Sequence, residues 1–138
     1  MNKEVQEIIN KECVKYNRHL QVPGIYRHFK EKKDHEEMLY IVTSVSMPMN
    51  KDEFNKIAVA TCNGFYMMHH TEMALNIPVV RVEDKYYHNE MYEREILVMY
   101  TGLYGPRESY LRPLPMFLSR TDKDKYPNAT QKYRLELI

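Results

Sequence analysis

Residues 95–100 read Glu95-Ile96-Leu97-Val98-Met99-Tyr100, the most apolar strand-forming run in the chain. A short apolar run rich in β-branched and aromatic side chains predicts a strand. Downstream, Gly102 to Pro106 forms a turn around Leu103 and Tyr104, and Ser109-Tyr110-Leu111-Arg112 reads as a further short strand. Pro113-Leu114-Pro115-Met116-Phe117-Leu118 cannot be a central strand, because its prolines lack donors. It reads as a short helical turn opened by proline. Residues 119–129 are polar, and residues 131–138 read as an extended strand around Tyr133-Arg134-Leu135-Glu136-Leu137.

Upstream of the apolar run, Val79-Val80-Arg81-Val82 and Tyr86-Tyr87-His88 flank a tight charged turn, Glu83-Asp84-Lys85, and predict a hairpin. A second hairpin is expected at residues 57–70. Asn63-Gly64 is the preferred dipeptide of a two-residue type I′ turn and separates two apolar runs. That turn pairs Cys62 with Phe65 and Ala58 with His69, leaving both faces fairly apolar, so the hairpin is expected to be covered on both sides or to join an interface. Asp52 can cap a helical turn over residues 53–57. Met38 to Val45 reads as a strand, and Ile25-Tyr26-Arg27-His28-Phe29 alternates as a half-buried strand does. Val5, Ile8, Ile9, Cys13 and Tyr16 follow helical spacing, so residues 3–18 predict an amphipathic helix, stopped by Val22-Pro23-Gly24. Seven or eight short strands with closely spaced turns suggest a small barrel or sandwich.

The chain has 138 residues, a size that fits one domain able to bury a core without disulfide or metal staples. A formal net charge of +1 gives little long-range pull on nucleic acid or anionic membrane, without excluding a local patch. Charged residues at 28% and hydrophobic ones at 43% are too apolar a mix for a disordered chain. Twelve Tyr and ten Met against no Trp suit a β-rich core with half-buried aromatic surfaces. Two cysteines make no disulfide framework and neither sits in a CxxC pair. No signal peptide is legible at the start and no apolar run approaches the ~18 residues of a membrane span, so a cytoplasmic protein without membrane contact is expected.

Three ordered segments resemble a known family: Val22-Pro23-Gly24-Ile25-Tyr26-Arg27-His28-Phe29-Lys30, Leu97-Val98-Met99-Tyr100 with Leu103-Tyr104-Gly105, and Leu111-Arg112-Pro113-Leu114 with Met116-Phe117. They are similar to the bacterial family catalogued as domain of unknown function (DUF) 1653. The resemblance implies a small SH3-like β-barrel and carries no biochemical activity. The chain departs from the pattern at Glu31, where the family has glycine, and at Tyr110, where it has tryptophan. On this reading the fold is mainly β. Residues 22–46 and 95–138 form the SH3-like barrel, residues 1–21 an N-terminal α-helix, and residues 47–94 an inserted β-hairpin region.

The chemistry-bearing residues point to binding before catalysis. His69, His70, His88 and Cys62 lack zinc-like spacing, and adjacent strand histidines face opposite ways, so no metal site and no cofactor are expected. With four glycines the chain has little from which to build a phosphate loop, and no nucleophile elbow is present. Tyr26, Arg27 and His28 fall together on one strand, and Tyr104, Tyr110 and Arg112 on or near the later ones. Such aromatic and guanidinium groups at a barrel edge suit single-stranded nucleic acid or an extended peptide. The expected function is therefore a non-enzymatic binding or adaptor module for a protein, peptide or single-stranded nucleic acid. The alternative is a small enzyme at the same edge, with His28 as general acid or base and Arg112 as anion clamp. The surplus apolar surface of residues 3–18 and 57–70 also fits a homodimer.

Overall fold

The computed structural model of the chain describes residues 3–31, 37–60 and 65–138. Eight strands form one sheet: β1 (Gly24–Glu31), β2 (Glu37–Met49), β3 (Phe65–His70), β4 (Leu75–Val82), β5 (Lys85–Asn89), β6 (Leu97–Gly102), β7 (Ser109–Pro113) and β8 (Leu135–Leu137). The strand order is β5-β4-β3-β7-β6-β2-β1-β8, and a parallel pairing of β5 with β2 closes six of the strands into a barrel. Three helices accompany the sheet among the described residues: α1 (Lys3–Val14), α2 (Lys51–Ala60) and α3 (Leu114–Phe117). The protein is thus mainly β, with a closed six-strand barrel, extra strands and an N-terminal helix. None of its described helices is long and apolar enough to cross a membrane.

The long strand β2 makes the closure possible. Its first half pairs with β1, Tyr26 opposite Tyr40, and its last residues pair with β5, Ser46 opposite Tyr86. The same strand pairs along its length with β6, and a register shift between Val42 and Ser44 marks a bulge there. Bulges bend a strand and increase its twist, which is what a strand shared between two neighbours needs. Residues 65–89, part of the stretch 47–94 read from sequence as an inserted region, supply β3, β4 and β5 of the closed barrel.

Alternation along β6 divides the interior into two cores. Leu97 and Met99 face into the barrel with Ile77, Val79 and Leu111. Val98 and Tyr100 face the other way, where α1, β1, α3 and β8 cover the outer side of the sheet. The stripe Val5, Ile9 and Cys13 of α1 lies in this second core, together with Leu20, Tyr26, Phe117 and Leu135. The expected stripe members Ile8 and Tyr16 are partly exposed instead.

The N-terminal helix ends earlier than residue 18. Asn17 adopts a left-handed backbone (φ 51°) and the Arg18 amide donates to the Cys13 carbonyl, a helix-ending motif in which asparagine commonly stands in for glycine. Arg18 then ties this turn to the C-terminal segment. Its guanidinium donates to the carbonyls of Leu118 (3.0 Å) and Leu135 (2.8 Å) and stacks 4.0 Å over the Tyr133 ring.

The hairpin expected at residues 57–70 does not form. Ala58, Val59 and Ala60 continue α2, so β3 has no partner upstream and pairs with β4 from Phe65 opposite Val80 to His70 opposite Leu75. The Asn63-Gly64 turn and Cys62 lie outside the described residues. The helix prevails because Asn50 caps it, its side chain accepting from the Asp52 amide (2.9 Å), and because Asp52 and Glu53 complement the helix dipole in the first turn. On this helix Ile57 and Ala58 are half-buried, while Val59 is 78% exposed. The hairpin expected around Glu83 and Asp84 does form, as β4 and β5, with Val82 opposite Lys85 and Glu83 at φ 58°.

Arg18 holds together segments 100 and 117 residues apart, and its loss should be costly. Replacing it by methionine removes two charge-assisted hydrogen bonds and should lower stability by about 2–3 kcal/mol in urea unfolding. The surface pair Lys15–Glu12 is a control: Lys15→Met should change stability by less than about 1 kcal/mol. Equal effects of the two substitutions would show that Arg18 is no anchor.

Candidate functional site

Alternation along β1 puts Tyr26 and His28 on one face and Arg27 on the other. Tyr26 is fully buried; its hydroxyl accepts from the Gln21 amide (3.0 Å) and its ring meets Phe117 edge-on at 5.2 Å. It is a core residue and offers a ligand no surface. Arg27 lies 3.1 Å from Glu37 across the β1–β2 pair, but its Nε–H is not aligned for a hydrogen bond. Neither residue joins the remaining four candidates.

Those four do come together. On β6 and β7, Tyr100 stands opposite Tyr110 and Val98 opposite Arg112, so Tyr100, Tyr110 and Arg112 share the outer face of the sheet. The Arg112 guanidinium sits 5.9 Å from the Tyr100 ring centre, and its Nε donates to Thr71 Oγ1 (3.3 Å). Tyr40, from β2, is the hub. Its ring contacts Tyr100 (5.3 Å), Tyr104 (5.6 Å), Tyr110 (6.5 Å) and His28 (6.2 Å). The hydroxyls of Tyr40 and Tyr104 are 2.6 Å apart, and the Tyr110 hydroxyl donates to Glu108 (2.7 Å).

His28 extends the face toward β8. It stacks on Phe29 at 4.8 Å, and Phe29 in turn meets Tyr126 at 4.9 Å. Phe29 and Tyr126 line an open groove of about 530 Å³ with Lys30, Lys125 and residues 127–130. Lys30 Nζ lies 4.8 Å from the Tyr126 ring centre and Lys125 Nζ 5.5 Å. An unbroken series of ring contacts therefore runs from Tyr110 through Tyr100, Tyr40, His28 and Phe29 to Tyr126, with cations beside both ends.

Burial sets the protonation of this face. The Tyr100 hydroxyl is pushed up to about 12 by burial, against the pull of Arg112. Burial and the bond to Glu108 push Tyr110 up to about 12, and burial with the Tyr104 bond raises Tyr40 further. These three remain neutral hydroxyls throughout the physiological range. His28 is lowered to about 4 by burial, with Arg112, Lys30 and Arg134 adding repulsion, so it is a neutral imidazole at pH 7. The Lys30 amide donates to its Nδ1 (3.1 Å), which leaves the proton on Nε2.

Sequence reasoning missed Tyr40, Tyr126, Lys125 and Arg134 as members of this surface. Tyr40 lies inside a strand whose apolar pattern gives no reason to single it out. Tyr126 and Arg134 come from the polar C-terminal stretch, whose position is set by long-range contacts such as the pairing of β8 with β1, His28 opposite Leu135, and the bridge of Arg120 with Tyr133.

A second polar cluster is internal. Ser46 and His88 are fully buried, Oγ to Nδ1 2.8 Å, and His88 Nε2 donates to the Glu93 carbonyl (2.9 Å). The Met73 amide donates to His70 Nδ1, so His70 Nε2–H donates to the Glu93 carboxylate (3.0 Å). His69, one residue before, faces outward beside Tyr110. Among the described residues no three His, Cys, Asp or Glu side chains are grouped to hold a metal.

The site and fold together define a barrel protein with an aromatic, cation-flanked outer face. Residues 81–136 match a family described as "Protein of unknown function (DUF1653)", and over this segment the chain resembles that family. The match takes in Tyr100, Tyr104, Tyr110, Arg112, Tyr126 and Arg134, whereas His28, Phe29, Lys30 and Tyr40 lie outside it. Neither the curated proteins nor the solved structures contain a match.

The buried histidine gives the fold a pH dependence. His88 falls from an ordinary 6.5 to about 4, chiefly through burial. Between those values the unfolded chain holds a proton that the folded one lacks, so stability declines as pH falls from about 6.5 toward 4 and levels below that. The full shift corresponds to about 3 kcal/mol. Urea unfolding at pH 7 and pH 4.5 should show a smaller drop for His88→Gln than for the wild type; an identical drop would mean that His88 does not drive it.

Proposed function

We propose that the protein is a non-enzymatic module that binds single-stranded nucleic acid along its outer aromatic face. The observation that carries this reading is the series of ring contacts from Tyr110 to Tyr126, in which the buried Tyr100 and Tyr40 back the half-exposed rings of Tyr110, His28, Phe29 and Tyr126, with Arg112, Lys30 and Lys125 beside them. Single strands are held by stacking bases on aromatic rings while cations meet the phosphates, and that combination needs little sequence specificity. The open groove lined by Phe29 and Tyr126 offers both rings beside two lysines. Residues 119–134 add five basic side chains against two acidic ones, so the local field is positive although the chain is nearly neutral.

The alternative of a small enzyme draws on the same residues and is less well supported. An imidazole with a pKa near 4 is a weak base at pH 7, and its Nδ1 is already engaged by the Lys30 amide.

Fluorescence anisotropy with a labelled single-stranded oligonucleotide tests the reading. Affinity should fall steeply between low and physiological salt. Phe29→Ala and Tyr126→Ala should each weaken binding about tenfold with the fold intact, the usual worth of one stacked base. Lys30→Gln and Lys125→Gln should each flatten the salt slope by roughly 0.7. No binding at low salt would overturn the proposal, and binding indifferent to salt and to these residues would point to peptide recognition instead.

A further inference from the structure

Strand β3 meets β7 only at its downstream end. His69 stands opposite Tyr110 and His70 opposite Leu111, and the Thr71 amide donates to the Leu111 carbonyl (2.9 Å). Along a strand, the main-chain N–H and C=O groups of alternate residues point to the same side. Those of His69 and Thr71 point toward β7, so those of Phe65 and Met67 point to that side as well, while Tyr66, Met68 and His70 turn theirs to β4. β7 begins only at Ser109, and its pairing with β3 starts at His69. On that side Phe65 and Met67 have no main-chain partner among the described residues. A cleft of about 440 Å³, lined by Met67, Met68, His69 and Ser109 among others, opens where the two strands part. Two amides and two carbonyls therefore form an open strand edge.

Open edges invite pairing, and folds blunt them with charge, proline or short strands. β8, at one end of the sheet, is blunted in this way: it has three residues, one of them Glu136. The β3 edge has no such protection. Residues 65–71 contain no Lys, Arg, Asp or Glu, and Phe65, Tyr66 and Met67 are 44%, 53% and 56% exposed. We propose that this edge pairs with a second copy of the chain, β3 antiparallel to β3 across a twofold axis at Tyr66. Register selects the occupant. With Tyr66 opposite the partner's Tyr66, Phe65 of each copy stands opposite Met67 of the other. Each such pair exchanges two hydrogen bonds in an antiparallel ladder, so all the open groups of both copies are satisfied at once. An axis at Met67 would instead set Phe65 against the partner's His69, whose main-chain groups β7 already holds. A twofold axis also sets any charge near it against its like, and this edge carries none. The three exposed side chains offer roughly 300 Å² per copy, the small end of specific interfaces, so the dimer is weak and reversible.

Analytical ultracentrifugation of the full chain tests this. Its mass should rise from 16.7 kDa toward twice that value as protein increases from about 5 to about 500 µM. Met67→Pro removes one outward amide and spares the bonds to β4, since proline is tolerated where the N–H faces solvent. It should keep the wild-type circular dichroism spectrum and stay monomeric. Tyr66→Lys sets two like charges opposite each other and should weaken association about tenfold or more, with partial recovery in high salt. Cross-linking reads the register. Across the axis the two Tyr66 Cα atoms would lie about 4.5 Å apart, within disulfide reach. In a Cys62→Ser background, Tyr66→Cys should therefore cross-link on mild oxidation, and Phe65→Cys, two positions out of register with its copy, should not. A chain that stays monomeric throughout overturns the proposal. A dimer indifferent to both Met67→Pro and Tyr66→Lys overturns it as well, and cross-linking at Phe65 in place of Tyr66 overturns the register. Should Met67→Pro fail to fold, Tyr66→Lys and the cross-link decide the question.

Discussion

Strand β6 is buried on both faces, and the rest of the structure is arranged around that fact. Its hydrogen bonds are taken by β2 on one edge and β7 on the other. Leu97 and Met99 close the barrel interior, while Val98 and Tyr100 bind the outer layer of α1, β1, α3 and β8 to the sheet. A strand with no solvent face must read as a continuous apolar run, which is why residues 96–100 do. The constraint also fixes what can be functional. Everything on the barrel side of β6 is packing, and everything on the other side must either cover Tyr100 or lie beside it. The aromatic face is thus an edge of the second core, where the covering layer stops short of Tyr104, Tyr110 and Arg112.

That origin gives the face its chemical character. Tyr40 and Tyr100 are nearly buried and hold the surface rings in place through edge-on contacts, so the exposed tyrosines are rigid at little entropic cost. The same burial keeps Tyr40, Tyr100 and Tyr110 as neutral hydroxyls and His28 a neutral imidazole. The titratable groups here are tuned away from proton transfer and toward donating hydrogen bonds. A catalytic site would need a base poised near neutral pH and a second group to receive the proton. His28, Tyr104, Tyr110 and Arg112 instead bring together neutral donors, flat rings and a guanidinium.

Local pattern made some of this legible in the sequence. The apolar run at residues 95–100, the charged turn at Glu83-Asp84 and the helical spacing of Val5, Ile9 and Cys13 each carry a period or a turn residue that survives into the fold. The region resembling the family likewise covers the strands that carry Tyr100 and Arg112. The segment 57–60 misled because Ile-Ala-Val-Ala fits either period, and the asparagine cap that decides for helix lies seven residues upstream of Ile57 at Asn50. Tyr26 and His28 show a different limit. Alternation places them on one face, yet one is core and the other reaches the half-exposed aromatic face. The difference is that α3 brings Phe117 over Tyr26, whereas His28 lies one strand position closer to the open end, beside Tyr40. No periodicity in β1 encodes where α3 ends.

Arg134 shows why part of the candidate surface had to wait for tertiary structure. It lies just before β8, its carbonyl accepts from the Phe29 amide, and its own amide donates to Ser119, so main-chain bonds alone fix it against β1. Its side chain contributes no ion pair among the described residues and leaves Nε unsatisfied. Arg18 is the instructive contrast, since it is also half-buried but spends its guanidinium on two carbonyls and a ring. In one chain, then, the fold satisfies the guanidinium of Arg18 and leaves the buried Nε of Arg134 without a hydrogen-bond partner.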